Sequence, residues 1–327
     1  MKNTNQILTI FTLFVMLAGC GGGGTGELQS GNPQPEPVQV TDPILVFEFS
    51  EARFFGGDIN DLSIVADGRI VVGTLNGLYQ NDGADWTKIR SKPVFTMRKD
   101  SAGNLRVPST NAIVNFESGV DGFSLIAGGL GAELASEYDY DPATDKHYFA
   151  SSSGQHAVTE IFQYDPATKT AEIIHLVNQV NAIKELTLWQ GSLLYLHGGC
   201  LITLDLITLT HQTDCVALVL DEIHKIDGQA VIANTTVSSL NNSIYYKLDL
   251  NGDSGWQEFS IGENNNRIKD IYANNDKYYA LTYNGIYVST NLQDWNDFES
   301  LPHHLYFPAQ LAVNGQQVIL GTRGGLL

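Results

Sequence analysis

The chain has 327 residues, of which 36 are acidic and 18 basic, giving a formal net charge of −18 at pH 7. An acidic surface repels nucleic acid, phosphate-rich glycolipid and anionic membrane, so this charge argues against all three as partners. The length allows a sizeable core and lies near the upper size of one globular unit.

Residues 1–19 have the layout of an export signal. Lys2 lies in a short polar start, and the following apolar run, Ile7 to Met16, leads into small residues. The run is shorter than the ~20 apolar residues that span a bilayer as a helix. The sequence therefore predicts removal of this segment on export.

The sequence Leu17-Ala18-Gly19-Cys20 resembles the lipobox of bacterial lipoproteins. The resemblance implies cleavage before Cys20 and acylation of its thiol, which anchors the protein in a membrane. Glycine at position 21, where aspartate signals inner-membrane retention, implies delivery to the outer membrane if the source is Gram-negative. The alternative is an ordinary secretory signal with a cysteine at its cleavage site.

Residues 20–42 are predicted to form a lipidated tether. They contain four consecutive glycines, three closely spaced prolines and few apolar residues, so they cannot offset the entropy lost on ordering. The glycine part is expected to be flexible and the proline part stiffer. One folded domain is predicted over residues 43–327.

Two short sequence phrases recur in this domain. Val72 to Tyr79 and Ala280 to Tyr287 both read as a strand, an Asn-Gly turn and a second strand, and Gly321 to Leu326 is a third copy. Tyr140-Asp141-Pro142-Ala143-Thr144 recurs at residues 164–168, with a proline-free variant at 204–208. Its aspartate is expected to accept main-chain hydrogen bonds across a turn.

Around these phrases the chain divides into units of four short strands. The units start near Asn60, Val94, Leu134, Ile183, Ile223, Arg267 and Pro308. The last unit is incomplete, and the alternating strand Ile44 to Phe49 is expected to complete it. This pattern predicts an all-β fold, a β-propeller of seven four-stranded blades with ~41 residues each. Six or eight blades and a two-sheet sandwich are alternatives.

The Gly-Thr-x-Asn-Gly phrase with a following Asp-Trp, at Asp85-Trp86 and Asp294-Trp295, resembles repeats of BNR/sortilin-like and two-component-regulator propellers. Residues 134–220, with their Asp-Pro turns, look more like kelch or galactose-oxidase-type units. Such repeats imply a propeller scaffold and carry no reaction chemistry of their own.

Cys200 and Cys215 are predicted to form a disulfide. Cys20 is assigned to lipid, which leaves these two in an oxidising compartment. The segment between them reads as two strands around a turn near Asp205 to Thr208, which places the cysteines opposite each other. Two free buried thiols are the alternative.

No motif identifies an enzyme or a cofactor site. The histidines show no metal-ligand spacing, His303 and His304 being adjacent, and no phosphate loop or nucleophile motif appears. Acidic residues are abundant enough that paired carboxylates in the central depression of a propeller remain an alternative, with polysaccharide cleavage by a glycoside hydrolase or lyase as the function.

The favoured interpretation is a non-catalytic platform of the cell envelope that binds a protein or a glycan. Its contact face is formed by the loops that enter each blade and by the turns between second and third strands. Candidate contact residues on this face are Arg53, Phe54, Phe55, His197, Arg267, His303, His304, Tyr306 and Arg323.

Overall fold

The structure, a computed structural model, describes residues 58–81, 86–109, 112–117, 123–128, 137–152, 158–177, 183–215, 219–226, 230–235, 244–248, 255–262, 267–274, 276–300, 308–314, 317–322 and 325–326. Every regular element in these ranges is a β-strand, and they contain no helix long and apolar enough to cross a membrane. The predicted signal, tether and N-terminal strand lie outside the described residues.

Blade 1 contains β1 (Ile59–Ile64), β2 (Ile70–Thr74), β3 (Gly77–Asn81) and β4 (Trp86–Arg90). Blade 2 contains β5 (Arg98–Lys99), β6 (Leu105–Ser109), β7 (Ala112–Phe116) and β8 (Ser124–Gly128). Blade 3 contains β9 (Tyr138–Asp141), β10 (Lys146–Ser152), β11 (Thr159–Asp165) and β12 (Thr170–Val177). Blade 4 contains β13 (Lys184–Trp189), β14 (Ser192–His197), β15 (Cys200–Asp205) and β16 (His211–Asp214).

Blade 5 contains β17 (Leu220–Ile226), β18 (Ala230–Thr235), β19 (Ile244–Lys247) and β20 (Gln257–Phe259). Blade 6 contains β21 (Ile268–Asn274), β22 (Lys277–Thr282), β23 (Gly285–Ser289) and β24 (Asn296–Ser300). The three-stranded sheet contains β25 (Pro308–Asn314), β26 (Gln317–Thr322) and β27 (Gly325–Leu326).

Each sheet is an antiparallel meander in which strands adjacent in sequence are hydrogen-bonded neighbours. The first strand of every sheet lies innermost, and these inner strands begin within four residues of the predicted unit starts. This arrangement confirms the all-β propeller fold, because consecutive meanders that pack side by side bury both faces of each sheet.

The predicted number of four-stranded blades is wrong. Within the described residues, six sheets have four strands, and the sheet formed by the C-terminal strands has three. The strand that was expected to complete this sheet, Ile44 to Phe49, lies outside the described residues.

The hydrophobic core lies between neighbouring sheets. Leu78 of blade 1, for example, packs with Leu105 and Phe116 of blade 2. Ile59 of blade 1 packs with Ile319 of the three-stranded sheet, whose other side packs against blade 6. Each fully buried side chain of this kind stabilises the fold by roughly 1.5–3 kcal/mol. The clusters therefore connect the sheets into a closed ring.

The repeated Thr-x-Asn-Gly phrase forms matching hairpins in blades 1 and 6. The Thr74 hydroxyl donates to the Gly77 carbonyl at 3.1 Å and accepts the Asn76 N–H at 3.1 Å, and Thr282 makes the same pair of bonds at the same distances. The turn residues of blade 1 are Leu75 and Asn76, because Thr74 pairs with Gly77 across the strands. The turn therefore lies one residue earlier than the predicted Asn-Gly pair, and the threonine hydroxyl stabilises it.

The aspartates of the second phrase accept main-chain hydrogen bonds, as predicted. Asp141 Oδ1 accepts from Ala143 N at 2.9 Å, and Asp165 Oδ1 accepts from Ala167 N at 2.8 Å. Asp205 accepts N–H groups in the proline-free variant as well. Two of these turns lie in blade 3 and the third lies in blade 4, each between consecutive strands.

Cys200 and Cys215 form the predicted disulfide, with their Cα atoms 4.5 Å apart. Cys200 begins β15, and Cys215 directly follows β16, the strand paired with β15. The bond therefore ties the two outer strands of blade 4 together at the end nearest the β14–β15 turn.

Candidate functional site

The inner strands of the seven sheets surround a cavity of about 960 Å³. Ligand pockets in proteins are typically ~300–1,000 Å³, so this cavity has room for a small molecule or a short oligosaccharide. Its ionisable lining residues are Asp58, Asp61, Arg98, Lys99, Glu137, Asp139, Tyr140, Glu185, His224, Lys225, Asp270 and Tyr272. The cavity is the candidate functional site because it gathers side chains from every sheet.

Two aspartates on inner strands link neighbouring sheets. Asp61 accepts the N–H of Leu62 at 2.7 Å and that of Met97, in blade 2, at 2.5 Å. Asp270 accepts the N–H of its own following residue at 2.8 Å and that of Leu311, in the three-stranded sheet, at 2.7 Å. Both carboxylates lie beside an irregularity in strand pairing, which turns the side chain toward the next sheet. Each of the two carboxylates therefore accepts main-chain hydrogen bonds from its own sheet and from the next one.

Burial makes these two carboxyl groups weak acids. Desolvation raises the pKa of Asp270 to about 7, although two main-chain N–H groups favour its charged form. Desolvation also raises the pKa of Asp61, against the opposing effect of Arg98. The buried surface of the cavity therefore disfavours an ionised carboxylate unless a cation lies next to it.

Asp139 has the opposite environment. Its side chain is fully buried and contacts Arg98 Nε at 2.7 Å and Lys225 Nζ at 2.9 Å. It also accepts the N–H of Leu188 at 2.6 Å and the hydroxyl of Thr187 at 3.1 Å. Burial alone would raise the pKa of Asp139, but Lys225 and Arg98 lower it to about 2. Asp139 thus joins blades 2, 3, 4 and 5 through charged and hydrogen-bonded contacts.

A second ion-pair network crosses the starts of three inner strands. Arg267 contacts Asp221 at 2.5 Å and Glu222 at 2.7 Å. Lys184 of blade 4 contacts Asp221 at 3.2 Å, and Lys269 contacts Glu222 at 3.8 Å. The network connects blades 4, 5 and 6 at the face where the chain enters each blade.

Glu185 and Lys99 differ from the other cavity charges. Neither side chain makes a hydrogen bond or an ion pair within the described part of the chain. Glu185 has a φ of 56°, in the left-handed region that residues with a side chain rarely adopt. Desolvation, together with the negative charges of Glu137 and Glu222, raises its pKa to about 7. Desolvation lowers the pKa of Lys99.

Two of the predicted contact residues lie in the described ranges. His197 ends β14, next to the disulfide, and Arg267 directly precedes β21. Lys184 pairs with Leu196, so the end of β14 and the start of β13 lie on the same face, which the ion pairs of Arg267 also border. Arg267 is already held by two carboxylates. The role of both residues in partner binding stays a prediction.

The other predicted contact residues lie outside the described residues: Arg53, Phe54, Phe55, His303, His304, Tyr306 and Arg323. Lipidation of Cys20 also stays a prediction.

Sequence reasoning did not single out the cavity acids. A signal was present, because an acidic residue directly followed by an apolar one recurs near the start of inner strands, as in Asp61-Leu62 and Asp270-Ile271. In the sequence alone these positions look like the ordinary polar–apolar alternation of a strand, because only the folded ring brings them together. Among the described residues there is no group of three or more histidine, cysteine or acidic side chains with metal-binding geometry.

Comparisons with known proteins support the fold. No protein-family model matches the sequence, and no curated protein matches it. The extracellular domain of the putative hybrid two-component system BT4673 from B. thetaiotaomicron superimposes with a TM-score of 0.59 at 13% identity, covering 87% of this chain and 39% of that one. The chain thus spans about two fifths of that domain.

Two further solved structures are similar over most of their length. The Neurospora crassa Pan2 WD40 domain has a TM-score of 0.57 at 12% identity, covering 83% of this chain and 88% of its own. An oligogalacturonate lyase in complex with manganese has a TM-score of 0.58 at 9% identity, covering 82% and 86%. At such low identities the likeness establishes a propeller fold and nothing about activity.

Proposed function

We propose that this protein is a non-catalytic binding platform of the cell envelope, anchored by lipid at Cys20, that takes a protein or glycan ligand at its central cavity. The lipobox-like sequence supports the anchor, and the similarity to an extracellular domain of a two-component system agrees with a location outside the cytoplasm. Binding residues are commonly located on loops that a rigid scaffold positions.

This proposal depends on the hydrogen bonds that the cavity carboxylates already make within the protein. Glycoside hydrolysis needs two available carboxyl groups about 5–9 Å apart. A main-chain N–H group of a neighbouring sheet donates a hydrogen bond to each of Asp61, Asp139 and Asp270. Glu137 likewise accepts the N–H of Leu186 at 2.9 Å. Glu185 alone among these five has no such partner in the described residues. The cavity is therefore better suited to holding a polar ligand than to paired acid–base chemistry.

The ligand is expected to contact Lys99 and Glu185, whose side chains make no hydrogen bond or ion pair with the described residues. Lys99 and Glu185 project from blades 2 and 4 into the same cavity. A polar ligand that offers both a hydrogen-bond acceptor and a donor, such as a glycan or a peptide segment, can satisfy both groups.

Crosslinking in intact cells tests the platform. The wild-type lipoprotein, Lys99→Ala and Glu185→Gln would be crosslinked, solubilised and analysed for bound protein and glycan, with the exposed Lys92→Ala and Glu172→Gln as matched controls. We expect one dominant partner that both cavity variants lose and both controls retain. A partner retained by all four variants, or none in wild type, would contradict binding at the cavity.

A second candidate function is polysaccharide cleavage. The pKa of Glu185, about 7, is that of an effective general acid or base near neutral pH, and Lys99 shares its cavity. One structural neighbour is an oligogalacturonate lyase. Incubation with uronate-containing polysaccharides, with detection of new chain ends, checks this alternative. Cleavage by wild type that Glu185→Gln abolishes would favour it over the platform.

We also propose that the N-terminal strand Ile44 to Phe49 pairs with the three-stranded sheet as its fourth strand. The six other sheets each have four strands, and β27 occupies the third position of this one. The alternating pattern of Ile44 to Phe49 suits a strand with one buried face.

A further inference from the structure

Two histidines from the outer strands of blades 3 and 4 contact each other through their rings. His175 is on β12 and His211 on β16, and their ring centroids are 5.3 Å apart with the ring planes at 62°. Neither side chain makes a hydrogen bond or an ion pair within the described ranges. His211 is exposed and His175 half-buried, so solvent reaches the pair.

The separation matches that of two imidazoles on one metal ion. A zinc–nitrogen bond of about 2.0–2.1 Å places the metal roughly 3.2 Å from each ring centroid, and a tetrahedral angle then puts the two centroids about 5.2 Å apart. The observed 5.3 Å is within the scatter of this value. The spacing of the two rings is therefore compatible with both imidazoles binding one metal ion.

We propose that His175 and His211 form a binding site for a divalent transition-metal ion that bridges blades 3 and 4. Two imidazoles favour Zn²⁺, Cu²⁺ or Ni²⁺ over Ca²⁺ and Mg²⁺, which prefer oxygen ligands. Water completes the coordination sphere, because the described residues offer no third histidine, cysteine or carboxylate there. The site is separate from the central cavity and does not depend on the proposed function.

The bound ion connects two blades through their outer strands. An ion that binds the folded protein stabilises it in proportion to ln(1 + [ion]/Kd), so metal occupancy is measurable as a rise in the unfolding temperature. Because each histidine belongs to a different blade, loss of either one removes the bridge.

Thermal unfolding of the signal-cleaved chain, with Cys20 changed to serine so that no free thiol competes, tests the site. We expect Zn²⁺ to raise the unfolding temperature, EDTA to reverse the rise, and Ca²⁺ to have no effect. His211→Ala should abolish the rise without changing the metal-free unfolding temperature, because its side chain is exposed. Gln212→Ala, an exposed neighbour on the same strand, should respond like the parent.

Isothermal titration provides a second measurement on the same proteins. One Zn²⁺ per chain is expected for the parent and for Gln212→Ala, and a loss of binding of at least tenfold in His175→Ala and His211→Ala. Equal zinc affinity and equal thermal shift in the parent and His211→Ala would overturn the proposal, since zinc would then bind elsewhere.

Discussion

At the scale of single residues, Asp139 contacts three other blades through its side chain. Its carboxylate lies between Arg98 and Lys225 and is fully buried. Removal of one partner of a buried ion pair leaves the other charge uncompensated, at a cost of about 3–5 kcal/mol. Asp139→Asn is therefore expected to lower the free energy of unfolding by that amount in urea denaturation.

The matched control is Asp165→Asn. Asp165 is in an exposed turn and accepts the N–H of Ala167, a bond that asparagine can keep. We expect this variant to change the free energy of unfolding by less than about 0.5 kcal/mol. Equal destabilisation by the two substitutions would show that Asp139 does not connect the blades in the way the contacts indicate.

Glu185 makes the stability of the protein depend on pH. Its pKa of about 7 in the folded state exceeds the ordinary value of 4.5, so the folded protein retains a proton that the unfolded chain releases between these pH values. The contribution of Glu185 to stability therefore falls as pH rises from about 4.5 to 7 and stays low above that.

Glu185→Gln removes this titration. The variant is expected to gain more stability over wild type at pH 8 than at pH 5, by about 1 kcal/mol or less because water in the cavity screens the charge. Thermal unfolding at both pH values measures the difference, and the exposed Glu172→Gln serves as control. A gain that is the same at both pH values would refute the raised pKa.

At the scale of elements, the hairpin of β2 and β3 depends on Gly77. Its φ is 139°, and a Cβ atom there would lie 1.9 Å from the main-chain oxygen of Arg90. Gly191 also has a positive φ, 77°, but its Cβ would meet no atom within 4 Å. Gly77→Ala is expected to destabilise the protein by at least about 2 kcal/mol more than Gly191→Ala, measured by urea denaturation.

The disulfide of blade 4 closes a short loop between two outer strands. Cys200 and Cys215 are 15 residues apart, and closing a loop of that size stabilises a protein by about 3 kcal/mol. The double variant Cys200→Ala/Cys215→Ala should lose this amount in chemical denaturation. A reducing agent should destabilise the wild type to a similar extent and leave the double variant unchanged; any other pattern would argue against the bond.

The elements that the sequence predicts well are those held by local contacts. The Asp-Pro turns and the Thr-x-Asn-Gly hairpins depend on atoms within a few residues, so repetition in sequence translates directly into repetition of hydrogen bonds. The turn position in the hairpin was wrong by one residue because the threonine hydroxyl, which is not part of the Asn-Gly signal, fixes it.

The cavity could not be predicted in the same way. Lys225 and Asp139 are 86 residues apart and belong to blades 5 and 3. Their contact, like that of Asp270 with Leu311, exists only because the ring brings separate inner strands together. The sequence pattern identifies inner strands and their acidic positions, but pairing across the ring depends on the curvature of the whole fold.

At the scale of the whole molecule, the ring is closed by packing between blade 1 and the three-stranded sheet. Ile59, Leu62 and Val72 pack with Ala312 and Ile319 across this junction. Among the described residues, β27 is the last strand of its sheet, whereas in the other six sheets a further strand covers that edge. An uncovered edge offers main-chain groups to other chains, so a covering strand protects the ring from association.

The proposed closing strand leads to the last prediction. If Ile44 to Phe49 pairs as proposed, its alternation places Leu45, Phe47 and Phe49 on one face, and burial of each such side chain contributes about 1.5–3 kcal/mol. Deletion of residues 43–50 should therefore lower the unfolding temperature and promote association of chains through β27. Differential scanning calorimetry and light scattering measure the two effects. Deletion of residues 21–28, a segment of equal length in the tether, should change neither. If the two deletions behave alike, the N-terminal strand does not complete the sheet, and the ring owes its closure to the junction with blade 1 alone.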